Sequence, residues 1–313
     1  MSGFGIMFHH FWSQDHPKGQ GAISAEQFDQ MICWLKKRYS LLDIDEFQER
    51  VEKNQLKSRE ICLTFDDSLL CQSDVALPVL DSHGISALFN VYSSALTFTP
   101  KIPQLEIYRY YRTVSFENFE SFFNEFQETF RRSNEYQFQQ GQKLFESRKS
   151  MYDAYPFFSE ADKKFRFTRD YVLKTDEYNS LMDSMMQRGN LSNREIARKV
   201  FMKVDHLADL LKRGHKLGLH SNTHPTKISN LSFQEQKAEY FENLSFFSRS
   251  LQYTPSMMAH PCGDYNGDTI SILNDLGVRI GFLAELKSHL SLSSLEIPRE
   301  DHTNILKQME VVI

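Results

Sequence analysis

The sequence predicts an α/β protein, a parallel sheet or β/α barrel carrying a helical insertion. Three observations predict it. Short apolar runs alternate with amphipathic stretches along most of the chain, the pattern of repeated strand–helix units. The polar clusters fall at the C-terminal ends of the apolar runs, which in a β/α barrel converge on the face that holds the active site. The alternation stops at about residue 100 and resumes at about residue 193.

Residues 5–8 read as the first strand, ending at His9 and His10. Ser24 and Gln27 have capping-box spacing and open a helix with Phe28, Ile32 and Leu35 on its apolar face. Residues 41–42 read as a second short strand and 45–54 as a charged helix. Residues 61–65 form a buried strand by composition, and it runs into two adjacent carboxylates, Asp66 and Asp67. A helix over 74–82 accepts Pro78 in its first turn and stops at His83 and Gly84; residues 85–92 give the next strand.

From about 100 to 193 no strand signal is present. Phe116, Phe119, Phe122, Phe123, Phe126 and Phe130 recur at three- and four-residue spacings, which predicts amphipathic helices in an inserted subdomain or lid. The alternation then returns with a helix over 196–213, stopped by Gly214, and a strand over 216–219 that meets His220. Ser232 and Glu235 form a second capping box, opening a helix to about 250. A strand over 256–259 meets His260, a helix over 269–276 stops at Gly277, and 279–283 is a strand. The last strand, 295–297, runs into Pro298 and Arg299.

The 313 residues, 41% of them apolar, allow two average domains or one large barrel with insertions; a single domain over 1–313 with an insertion at about 100–193 is the expectation. A net charge of −5 supplies no basic field for nucleic acid or anionic membrane. The four cysteines (Cys33, Cys62, Cys71, Cys262) have no CxxC spacing and read as reduced core thiols. The N-terminus has neither a basic segment nor a long apolar one, and no run of eighteen apolar residues occurs. A cytoplasmic protein without a transmembrane segment is the expectation. Oligomeric state is left open.

Adjacent residues on an extended chain point to opposite sides, so Asp66 and Asp67 are expected to do different work. Two like charges so close need a cation or a shared proton between them. His220 and His224 supply the means. Two imidazoles and one carboxylate, with positions left for water and substrate, make a catalytic zinc-type site. Ser221 after the first histidine sets the pair apart from the His-Glu-x-x-His helix of zinc proteases. Ferrous iron is an alternative, although the His-x-Asp spacing of such oxygenases is absent.

Thr64-Phe65-Asp66-Asp67, His220-Ser221-Asn222-Thr223-His224 and Ala259-His260-Pro261-Cys262-Gly263, in this order, resemble the polysaccharide deacetylase superfamily, carbohydrate esterase family 4. The resemblance implies a distorted (β/α) barrel, typically of seven strands, and hydrolysis of an acetyl group on a sugar with one divalent metal. The helical insertion is similar to that of deacetylases of bacterial surface-glycan pathways. By this resemblance Asp67, His220 and His224 hold the metal, zinc first, with cobalt, manganese, nickel or iron as alternatives. Asp66 is the general base, the backbone N–H of Cys262 helps the oxyanion, and His302 is the general acid, with His289 in reserve. His9, His10, Pro261 and Asp264 line the substrate pocket.

Three departures stand out: Ser68 where the family usually has glycine, Ala259 in place of an arginine that pairs with the base, and Cys262 in place of an aromatic residue. Arg299 is expected to supply the missing cation. The expected partner is an N-acetylated amino sugar, glycan or glycan precursor. Rival readings are a deformylase or amidase acting on a non-sugar amide, and a glycan-binding protein with impaired catalysis.

Overall fold

A computed structural model of the chain describes residues 3–99, 102–152, 159–189, 191–286 and 293–310. The chain forms two compact units, Met1–Pro103 with Lys199–Ile313, and Gln104–Arg198. In order, the first unit begins with β1 (Phe4–Phe8), α1 (Ala25–Arg38), β2 (Ser40–Leu41), α2 (Ile44–Glu52), β3 (Glu60–Phe65), α3 (Leu77–His83), β4 (Leu88–Val91) and α4 (Ser94–Thr97). There follow α5 (Gln104–Ser115), α6 (Phe119–Ser133), α7 (Glu135–Arg148), α8 (Glu160–Phe167), α9 (Thr175–Arg188) and α10 (Asn193–Val200). The first unit then continues with α11 (Val204–Lys212), β5 (Lys216–Leu219), α12 (Phe233–Leu251), β6 (Met257–Ala259), α13 (Gly267–Asp275), β7 (Ile280–Phe282), β8 (Arg299–Asp301) and α14 (His302–Glu310).

The strands pair in the order β7-β6-β5-β4-β3-β1-β8, with short β2 added to β3, and every ladder is parallel. The two ends of this path meet through one short stretch. Ile297 bridges Phe282 on β7, and Arg299, two residues later, pairs with Gly5 on β1. The result is a nearly closed seven-stranded (β/α) barrel, distorted at that seam.

Side-chain alternation explains what the barrel encloses. Cys62, Leu88, Met257, Ala259, Ile280 and Phe282 pack together with Ile44 and Phe47 from α2. A period of two carries the inward side of β3 from Cys62 through Thr64 to Asp66, and that of β4 from Leu88 to Asn90. The opposite side is aromatic: Phe65 stacks on Phe89 at 4.6 Å and on Phe8 at 5.3 Å, and Phe8 meets Phe28 of α1 edge-on at 4.9 Å. Both capping boxes form, with the hydroxyls of Ser24 and Ser232 accepting the backbone N–H of Gln27 and Glu235.

The structure corrects the sequence reading at four places. The expected helix over 196–213 is two helices, α10 and α11, because Phe201 bridges Leu69 and the Met202 N–H donates to Ser68 O at 2.9 Å. The expected last strand at 295–297 makes a single bridge. Pro298 has no N–H for a ladder, its carbonyl accepts from Gly5 at 3.0 Å, and the paired strand starts at Arg299. The stretch ahead of α3 is a π-helical turn, Gln72–Ala76, whose wider winding turns Gln72 inward. Cys62 and Cys71 are buried, but Cys33 and Cys262 are exposed.

The unit Gln104–Arg198 is helical, without a strand among its described residues. Its phenylalanines are turned inward. Phe122, Phe123, Phe126 and Phe130 are buried, and Phe165 meets Phe122 and Phe126 edge-on at 5.2 and 5.1 Å. No helix among the described residues is long and apolar enough to cross a membrane.

Candidate active site

Asp66 and Asp67 follow β3, and both are buried. Asp66 continues the strand, its N–H donating to Phe8 O at 3.1 Å. Asp67 has φ 76° and Ser68 φ 57°, so the chain turns sharply after Asp66 and both carboxylates reach the same end of the barrel. Ser68 therefore has the left-handed conformation that glycine takes without a Cβ penalty.

Two strands deliver the groups that hold the Asp66 carboxylate. Arg299, 1% exposed, leaves β8 and forks onto the carboxylate, Nη1 to Oδ1 at 2.8 Å and Nη2 to Oδ2 at 2.7 Å. Its remaining donors go to Leu283 O at 2.6 Å and Thr64 Oγ1 at 3.1 Å. Asn90 of β4 donates Nδ2 to Asp66 Oδ1 at 2.8 Å. Two glycines make room. A Cβ on Gly5, the register partner of Arg299, would lie 3.0 Å from Arg299 Cγ. One on Gly218, the partner of Asn90, would lie 2.3 Å from Asn90 Oδ1. Burial alone would raise the Asp66 carboxyl, but the guanidinium of Arg299 holds it well below the usual carboxylate range.

Asp67 faces histidines instead. Its Oδ1 lies 3.5 Å from His220 Nε2 and 3.4 Å from His224 Nε2, and the two rings are 4.8 Å apart. His220 Nδ1 donates to Ala259 O at 2.8 Å, which leaves Nε2 with a lone pair directed at the cluster. Against the cost of burial, His224, His220 and His9 hold Asp67 ionised far below its ordinary value. The two imidazoles diverge: the carboxylates outweigh burial and raise His220, whereas burial prevails and lowers His224. Buried Asp67 Oδ1 has no hydrogen-bond partner among the described residues. An orphaned carboxylate oxygen with ligand atoms of two imidazoles, all within 4.8 Å of one another, is a donor set that fits a divalent cation.

His9, at the end of β1, points its Nε2 at both acids, 3.9 Å from Asp66 Oδ2 and 3.8 Å from Asp67 Oδ2. His10 lies alongside, ring centroids 6.1 Å apart. His302 follows β8 as the sequence places it. It stacks on Phe8 at 5.4 Å, with Nε2 2.8 Å from Gly21 O and Nδ1 3.3 Å from Met7 O. Burial lowers its pKa. Both ring nitrogens of His302 thus face backbone carbonyls. His289 lies outside the described residues.

After β6, Pro261–Gly263 form one 3₁₀ turn in which Pro261 is buried and Cys262 is left-handed, φ 54°. Asp264 serves the loops: its Oδ2 accepts the Ser229 N–H at 2.8 Å and Lys227 approaches Oδ1 at 3.6 Å. Asn90, Gln72, Glu239 and Asn243 were missed by the sequence reading. Gln72 ties the ends of β1 and β3 together by donating Nε2 to His9 O at 2.9 Å and Asp66 O at 2.6 Å. A lone amide inside the apolar run Leu88-Phe89-Asn90-Val91 was a readable signal for the first of these.

Residues 177–281 match the family model for polysaccharide deacetylase. The matched stretch holds His220, His224 and the turn Pro261–Gly263. Solved polysaccharide-deacetylase-like structures share the barrel at low identity. The Streptococcus pyogenes deacetylase PplD in complex with acetate is 14% identical, over 99% of this chain and 98% of that one, with TM-score 0.58. IcaB from Ammonifex degensii is 13% identical over 95% and 90%, TM-score 0.54. A de-N-acetylase from Aggregatibacter actinomycetemcomitans is 13% identical over 96% and 94%, TM-score 0.54. No curated protein sequence matches this chain.

Proposed function

We propose that this deacetylase-like chain is a metal-dependent hydrolase that removes an N-acetyl group from an amino sugar of a surface glycan or its precursor. The observation that carries the reading is the division of labour between neighbours. Asp66 is locked to Arg299 and Asn90, and Asp67 is open beside His220 and His224. The helical stretch from about 100 to 193 is read as an insertion into one catalytic domain.

Asp67, His220 and His224 would hold the cation, zinc first by its preference for nitrogen and carboxylate donors. When bound it would polarise the acetyl oxygen and lower the pKa of an adjacent water to about 7. Asp66, ionised at neutral pH, accepts the proton of the water that attacks the acetamide carbonyl. His9, within 4 Å of both acids, gives a proton to the departing nitrogen, the part first expected of His302. The backbone N–H of Cys262 donates to the developing oxyanion. Arg299 fills the place of the family's third-motif arginine from another strand, which removes the main argument for an impaired glycan-binding protein.

The test is acetate release from N-acetylated oligosaccharides and nucleotide or lipid-linked amino sugars by zinc-loaded protein, with formate release from formamides alongside. Acetate release that drops at least about 100-fold in Asp66→Asn, with zinc content retained, supports the reading. Full activity in that variant, or formate release alone, refutes it.

A further inference from the structure

The loop that brings His220 and His224 together is tightly bent, with Ser221 at φ 62° and His224 at φ 56°. Neither is glycine, so the conformation is held against a local preference for other backbone angles. Helix α12 holds it. Glu239 Oε2 accepts the N–H of Asn222 at 2.9 Å and of Thr223 at 2.8 Å, and its Oε1 accepts the Thr223 hydroxyl at 2.6 Å. One turn on, fully buried Asn243 accepts the His220 N–H on Oδ1 at 3.0 Å and donates Nδ2 to Val91 O at 3.0 Å. A spacing of four puts both residues on one face of the helix. From the β4 side the Ser94 N–H donates to Asn222 O at 2.9 Å, and the Ser93 hydroxyl lies 2.7 Å from Asn222 Oδ1.

Each of these bonds except that of Asn243 to Val91 falls on the segment between the two histidines or on His220 itself. A carboxylate that accepts three donors from two consecutive residues fixes their peptide planes as well as their positions. Freed of it, the bend can unwind and His224 swings away from Asp67, while His220 stays anchored through Asn243 and Ala259.

We propose that Glu239 and Asn243 are positioning residues that set the affinity of the Asp67–His220–His224 cluster for a divalent cation by fixing the bend between the histidines. This rests on the metal-dependent reading above. Outer groups that orient metal ligands typically change affinity 10- to 100-fold when removed, and Glu239→Ala is expected to fall in that range. Glu239→Gln keeps a carbonyl oxygen for the two N–H groups and an amide that can donate to the Thr223 hydroxyl. It should therefore weaken binding less than the alanine variant. At saturating zinc, Glu239→Ala should recover most of its turnover, since the acids and His9 are untouched.

The experiment is zinc competition against a chromophoric chelator for the full chain, wild type beside Glu239→Ala, Glu239→Gln and Thr223→Val, each checked by circular dichroism. Thr223→Val removes only the hydroxyl bond and carries the test if the alanine variant does not fold, with a several-fold weakening expected. A graded order of affinity, wild type above Gln and Gln above Ala, supports the inference. Wild-type affinity in Glu239→Ala or, should that variant not fold, in Thr223→Val, overturns it. Equal weakening by Gln and Ala also overturns it, since charge rather than geometry would then set the affinity. If the wild type itself takes up no zinc, the metal-dependent reading falls first, and that outcome is distinct from the others.

Discussion

Asp66 and Asp67 are neighbours in sequence, yet the barrel surrounds one with donors and leaves an oxygen of the other without any. On the Asp66 side, β8 and β4 bring a guanidinium and an amide to the carboxylate. On the Asp67 side, a bent loop brings two imidazole nitrogens to within 3.5 Å of an unpartnered oxygen. The first carboxylate is held by side chains of the fold itself; the second keeps an oxygen without a hydrogen-bond partner among the described residues. Breaking the first should therefore cost stability, and breaking the second should cost binding.

The largest effect is expected from Arg299→Met, which leaves a buried carboxylate without its cation. Removing one partner of such a pair costs about 3–5 kcal/mol, read by chemical denaturation at pH 7. Turnover should fall far more than zinc content. The pH dependence should also weaken. In the wild type, Asp66 is depressed by Arg299, so its contribution is present above the unfolded value of about 4 and is lost as pH falls below it. In Arg299→Met only His220 and His9 oppose the burial that raises the carboxyl, and the loss of stability on acidification should shrink. A variant as stable as wild type at pH 7, with the same acid limb, would contradict the contrast.

A smaller effect is expected from Gly218→Ala. The added Cβ would sit 2.3 Å from Asn90 Oδ1, and forcing a group into a packed interior costs about 1–3 kcal/mol. The displaced amide should take its hydrogen bond from Asp66, lowering turnover with zinc affinity unchanged. The smallest change in stability is expected from Asp67→Asn. It gives up the attraction of His224, His220 and His9 for the ionised carboxylate but breaks no buried guanidinium pair, so its stability loss should stay below that of Arg299→Met, while zinc uptake, followed by chelator competition, collapses. A loss of metal-free stability as large as that of Arg299→Met would show that Asp67 is also held by the fold itself.

How far these two sides could be read from the sequence follows the same division. Strand ends were legible because Ile61–Phe65 and Lys216–Leu219 are apolar runs that stop at charged or imidazole residues, and the barrel followed from their alternation. The Asp67 side is local, with two ligands four residues apart on one loop. The Asp66 side is assembled across more than 200 residues, Arg299 reaching Asp66 only because β8 lies in register beside β1 and Gly5 leaves the space. His302 shows the limit from the other direction. Its place after a strand was right, but the direction of its ring is set by Phe8 and two carbonyls that no spacing rule reveals. The break at Phe201 was hidden for a similar reason, since Leu69 takes that residue out of an otherwise continuous helical pattern.

The left-handed residues at the strand ends bear on how this chain can be hardened against heat. Asp67, Ser68, Ser221, His224 and Cys262 all have φ between 54° and 76°, at roughly 1–2 kcal/mol apiece for a side chain in that region. Glycine would relax each of them, but at Asp67 and His224 it would delete the group the turn exists to present. Ser68 differs: its hydroxyl is buried without a partner among the described residues. Evolution toward a sturdier barrel thus has one inexpensive step there and few others nearby. Further hardening has to come from distant helices and from the seam at Ile297, leaving the rim of strand ends the least improvable part of the fold.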